Sequence, residues 1–118
     1  KRLEAIQIRL GRNINGGVRY KTHVQTFGWQ NCNGTTSGTS GLGKRLEAIQ
    51  IELTGQAAQQ YDIYYRVHVQ SYGWLDWAKN GQMSGTSGLA KRLEGIQIVL
   101  VPKGAAAPGK TARACINR

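Results

Sequence analysis

Acidic residues are scarce. Six Asp and Glu stand against sixteen Lys and Arg, which leaves the 118-residue chain a formal net charge of +10. Three of the carboxylates, Glu4, Glu47 and Glu94, fall at equivalent positions of a repeated string. The other three, Glu52, Asp62 and Asp76, form no recognisable pair of the facing kind that glycoside hydrolysis needs, so no enzyme is expected. Histidine and cysteine number two each, and neither occurs in a His-x-x-x-His or Cys-x-x-Cys spacing. The sequence thus supplies no metal site, and no cofactor is expected. Only two prolines accompany sixteen glycines, a composition that points away from collagen and from a helix bundle and towards tight turns between short strands. The longest apolar run, Ile96 to Val101, is interrupted by Gln97 and is far too short to cross a bilayer, so no membrane insertion is expected. Hydrophobic residues nonetheless make up 40% of the chain, which suits a folded domain.

What the sequence does have is repetition. A tail string, Lys-Arg-Leu-Glu-x-Ile-Gln-Ile, begins at Lys1, Lys44 and Lys91. A head string occurs twice, as Tyr20-Lys-Thr-His-Val-Gln-Thr-Phe-Gly-Trp29 and Tyr65-Arg-Val-His-Val-Gln-Ser-Tyr-Gly-Trp74. Between head and tail lies Ser37-Gly-Thr-Ser-Gly-Leu42, repeated unchanged as Ser84-Gly-Thr-Ser-Gly-Leu89. One unit reads head strand, Gly-Trp corner, Gly-Thr-Ser-Gly turn, tail strand. Residues 1–101 form a single repeat-built β domain, with a lone tail strand at 1–10, unit one at 16–54 and unit two at 61–101. Residues 102–118 are rich in Ala, Gly, Lys and Arg and read as a basic, linker-like C-terminal extension.

Heads and tails carry the period of strands. Tyr65, Val67 and Val69 alternate with Arg66, His68 and Gln70, and Glu47, Ile49, Ile51 and Leu53 share one tail face. No stretch sustains a helical period, so the fold class is all-β: tandem repeats of about 45 residues packed into one compact domain. A unit of that size cannot bury a core alone. Closure with pseudo-symmetry, as in a β-prism or a trefoil, is one solution, although it would normally want three full units; a homodimer is another. The sequence leaves both open.

The three blocks, in this order and present twice, resemble the ChW repeat family, named for a clostridial hydrophobic repeat with a conserved tryptophan. The resemblance covers about residues 1–101. It implies a secreted, extracellular module on the cell surface of a Gram-positive bacterium, with the repeats serving non-catalytic attachment or recognition. In such an oxidising setting the two cysteines suggest one disulfide, Cys32 to Cys115. Unit one departs from unit two in having Cys32 where unit two has Trp77.

Within that setting the residues point to a lectin-like, carbohydrate- or cell-wall-binding module with a shallow site in each unit. Trp77, on a polar segment beside Asp76, Asn80 and Gln82, is the first candidate for stacking against a sugar ring. Trp29 and Trp74, each after a glycine, offer a second platform, but a core anchor is the stronger reading of these two. His68 and His23 stand mid-strand and read first as hydrogen-bonded packing residues. The repeated Arg-x-Glu pairs (Arg2/Glu4, Arg45/Glu47, Arg92/Glu94) read as partly buried bridges between units. Gly104-Ala-Ala-Ala-Pro-Gly-Lys-Thr111 spells a P-loop, but too few residues follow for the helix whose N-terminus would face the phosphates. The expected partner is a glycan or an anionic cell-wall polymer, attracted by the basic charge. The alternative is a protein–protein adhesion or scaffold module that docks another surface protein. No nucleic-acid motif occurs, and nucleic acid is not expected as a partner.

Overall fold

The structure, a computed structural model, describes residues 15–24, 46–87 and 91–117. The lone tail at 1–10, Trp29 and Cys32 lie outside the described residues. The elements in chain order are β1 (Gly17–Val24), β2 (Leu46–Thr54), α1 (Gly55–Gln60), β3 (Tyr61–Val69), β4 (Gly73–Trp74), β5 (Ala78–Lys79), β6 (Met83–Ser87), β7 (Leu93–Pro102) and β8 (Cys115–Asn117). The all-β expectation holds, with one six-residue helix among the described residues, between the units.

Two sheets form. The first has the order β1-β2-β6-β8, antiparallel except for the parallel β6–β8 pair. In the second, β7 pairs along the whole of β3, while the short β4 and β5 pair with β3 at His68–Val69 and at Tyr64–Tyr65. The repeat is legible in the ladders. Head pairs with tail in the same register twice, Tyr20 opposite Ile51 and Tyr65 opposite Ile98. Both ladders slip at the same place, between His23 and Val24 and between His68 and Val69. A bulge at this point turns the strand and re-aims the side chains that follow it.

Alternation then builds the core. Ile63, Tyr65, Val67 and Val69 of β3 face inward against Ile49, Ile51 and Leu53 of β2, joined by Leu75, Ala78, Leu93 and Ala57 from α1. The two units share this core, which answers the need of a short repeat for a neighbour. Tyr65 stitches them: its buried hydroxyl accepts the Ile51 N–H at 3.1 Å and donates to the Gln82 carbonyl. Burial pushes this hydroxyl well above the ordinary tyrosine range, so it remains a protonated donor.

Two expectations need correction. The described part of the Gly-Thr-Ser-Gly segment of unit two, Gly85-Thr86-Ser87, is not a turn: Met83–Ser87 is a strand, β6, running between β2 and β8. Its hydroxyl residues Ser84 and Thr86 are buried, and Gly85 lets the strand lie directly against β2. A Cβ there would stand 2.4 Å from the Glu47 carbonyl oxygen and 2.7 Å from Ala48 Cα. The C-terminal stretch is not a free linker either. Backbone N–H groups of Asp76, Trp77 and Gly85 donate to the carbonyls of Arg113, Lys110 and Ala114 at 2.9–3.1 Å, and Cys115–Asn117 joins the first sheet as β8. An Ala/Gly composition lowers side-chain burial but leaves backbone donors and acceptors free to pair.

Asp62 ties this extension to unit two. It is buried, and its carboxylate accepts the Gly104 N–H and the Asn80 amide, each at 2.9 Å. Lys103 and Lys79 approach at 3.4 and 3.6 Å. The Gly104 N–H, then the Asn80 amide, with the two lysines adding to them, outweigh burial and hold the carboxyl at about 2, below its ordinary 3.8. A depressed carboxylate contributes stability that is complete above its unfolded value and is lost as pH falls through the folded one. The unfolding free energy should therefore decline as pH falls from 3.8 towards about 2. In Asp62→Asn that decline should be shallower, as denaturant titrations across the window would show.

A candidate saccharide-binding cleft

Among the described residues, the exposed aromatic side chains gather at the Gly-Trp corner of unit two. Gly73 takes φ +75°, in the left-handed region that favours glycine, and so reverses the chain after β3. Trp74 then pairs with His68. Leu75 goes inward, while Tyr72 and Trp74 stay outside, each 42% exposed.

Trp74 is exposed but held. Its ring meets His68 edge-on, with centroids 5.3 Å apart and planes at 83°. The Arg66 guanidinium lies 4.9 Å from the Trp74 ring and 4.9 Å from the Trp77 ring, bridging the two indoles. Arg66 is in turn fixed by Nε donating to Gln97 Oε1 at 2.6 Å on β7. His68 Nδ1 stands 3.3 Å from Glu94, which also takes Arg92 Nε at 3.3 Å. The Arg92/Glu94 pair thus serves the corner of its own unit and does not bridge to the neighbouring one. Such stacks hold an exposed ring in one orientation before any ligand arrives.

Beside this ring lies a cleft of about 220 Å³ lined by Tyr72, Trp74, Leu75, Asp76, Arg113 and Ile116. Asp76 and Arg113 are clamped backbone to backbone and through the Arg113 N–H, which donates to Asp76 Oδ2 at 2.9 Å. Two aromatic residues, an aspartate and an arginine therefore line one shallow depression, smaller than the clefts that engulf drug-sized ligands.

The candidates read from the sequence divide. Trp74 and Asp76 line the cleft, and His68 supports Trp74 from beneath. Trp77 does not reach solvent as expected: it is 8% exposed, with Gly109 packed against its indole and its backbone N–H bonded to Lys110. Its cover comes from a segment about thirty residues away, which its polar sequence neighbours do not announce. Asn80 and Gln82 are also turned elsewhere. Asn80 Oδ1 accepts the Ile63 N–H and its Nδ2 serves Asp62, while Gln82 Oε1 accepts the Lys79 N–H. Both close the β5–β6 turn, where Asn80 takes φ +42°. His23 is placed in β1 opposite Ala48. Tyr72 and Arg113 also line the cleft, although the sequence reading does not single them out. Tyr72 had a signal, since Phe27 holds the same place before the other Gly-Trp; Arg113 had none, because the tail read as a linker. Cys115 lies in β8, and no cysteine among the described residues is free. Nor do three or more His, Cys, Asp or Glu side chains among the described residues come together as a metal site would require.

Paired β repeats with an aromatic corner define a tandem-repeat β module. The family model described as Clostridial hydrophobic W, ChW, matches residues 23–55 and again 68–102. The chain belongs to the ChW family. No curated protein and no solved structure gives a significant match.

Proposed function

We propose that the chain is a non-catalytic carbohydrate- or cell-wall-binding module, secreted and displayed on a bacterial surface. One observation carries this reading: Trp74 and Tyr72, both exposed, rim a cleft that also holds Asp76 and Arg113. An indole face offers the apolar C–H face of a pyranose a flat partner. The carboxylate accepts from sugar hydroxyls and the guanidinium donates to hydroxyls or to an acidic group. A cleft this small holds about one ring, so the site is weak on its own and gains avidity where further copies engage the same polymer. The net charge of +10 favours an anionic cell-wall polymer over a neutral one.

Tryptophan fluorescence during titration with defined saccharides and cell-wall polymers tests the proposal. Trp74→Ala should abolish the response while the far-UV circular dichroism is unchanged. A response that survives Trp74→Ala overturns the assignment of the site.

With this setting goes a disulfide between Cys32 and Cys115, which would fasten the docked C-terminal segment to unit one. Iodoacetamide should add no mass to the denatured, unreduced chain and two adducts after reduction. Labelling before reduction would refute the bridge.

A further inference from the structure

The two tails are one strand written twice, yet their surroundings differ. In β2, Ile49, Ile51 and Leu53 are buried. In β7 the equivalent Ile96 and Leu100 are only half-buried and Ile98 is 37% exposed, although they stand opposite the buried Val67, Ile63 and Tyr65.

The difference lies at the outer edge. Unit two closes that edge of β2. There β6 pairs Gly85, Ser84 and Met83 with Ala48, Ile49 and Gln50. Tyr65 takes the Ile51 N–H, the Gly81 N–H donates to the Ile51 carbonyl at 2.6 Å, and Gln50 Nε2 donates to the Gly81 carbonyl at 3.1 Å. Among the described residues β7 pairs with β3 alone. Since Ile51 and Ile98 occupy the same register against their heads, the outward backbone groups at Ile98 are those that unit two satisfies at Ile51.

We propose that the outer edge of β7 is a docking site for another ChW unit, which adds its Met-Ser-Gly strand to Gly95–Gln97 in the register that β6 takes on Ala48–Gln50. An unpaired edge is a template for strand addition, and a head-to-tail contact of this kind propagates repeats. The occupant is specified by chemistry. Its strand needs glycine where Gly85 stands, because the backbone of Glu94 and Gly95 takes the place of Glu47 and Ala48, which leave no room for a Cβ at Gly85. Gln97 repeats Gln50, the side chain that holds the incoming turn.

The test uses the isotope-labelled full chain and a synthetic peptide of residues 82–89, followed by NMR. Saturable amide shifts across Gly95–Gln97 and slowed hydrogen exchange at Ile96 are expected at peptide concentrations of roughly 1–5 mM, since a free strand must be ordered on binding. Gly85→Val in the peptide should weaken binding at least about tenfold. Ile98→Lys in the chain should do the same without lowering its melting temperature appreciably. Shifts absent from β7, or equal binding of the valine peptide, would overturn the proposal.

Discussion

Trp77→Ala is expected to cost about 3–5 kcal/mol, the range for removing a large buried aromatic side chain, and to lower the melting temperature by roughly 10–20 °C. The indole is 8% exposed, between the Arg66 guanidinium and the C-terminal segment at Gly109–Lys110. Its loss opens a cavity that this Ala- and Gly-rich segment cannot fill. Arg66 would also lose one of its two aromatic partners, so Trp74 should become less ordered, and saccharide binding should weaken together with stability. Trp77→Phe should recover most of the stability, because the burial matters more than the indole N–H. Thermal denaturation of the three proteins decides it. An unchanged midpoint for Trp77→Ala would return this residue to the surface and the account of the cleft with it.

Gly85→Val is expected to be comparably damaging, at about 3–5 kcal/mol, by a different route. The new Cβ would meet backbone atoms of β2 at 2.4 and 2.7 Å, and neither can swing aside as a flexible side chain would. The position also has φ +131°, which costs a β-branched residue of order 1–3 kcal/mol, with overpacking adding a similar amount. The β2–β6 ladder should part first. Native-state hydrogen exchange would show lost protection at Ala48–Gln50, while the β3–β7 ladder keeps its own. Gly104→Val is the control: its φ is +83° but nothing lies within 4 Å of a Cβ there, so only backbone strain remains. Equal losses in the two variants would mean that close approach to β2 is not what requires Gly85.

Part of this architecture was readable in advance. The heads and tails announce themselves as strands by period two, and the repeat shows which strands are equivalent; the slip after His23 and after His68 is seen only in the ladders. Local patterns carry that information because one face of each strand must be apolar. The rest depended on contacts distant in sequence. Met83–Ser87 resembles a turn, since Gly, Ser and Thr are turn residues, but its place between two strands satisfies its backbone and makes it β6. α1 is too short to show a helical period. Among the aromatic candidates, exposure was inverted. Trp77 has polar neighbours in sequence but is covered by residues 109–110, whereas Trp74, equivalent to Trp29 in the other unit, stands outside, propped by Arg66 and His68. Asn80 and Gln82 have the chemistry to bind a sugar, yet they spend it on the backbone of Ile63 and Lys79. The cleft itself needed Arg113, which arrives only because the C-terminal segment docks.

The most direct test is calorimetric titration of the chain and of Trp74→Ala with saccharides and cell-wall polymers at low and high salt. The cleft predicts binding to at least one defined saccharide that persists in part at high salt, where simple charge attraction is screened, and that is lost in Trp74→Ala. Binding that vanishes with salt and is equal in the two proteins would mean that the basic surface alone attracts anions and that the cleft is not a sugar site.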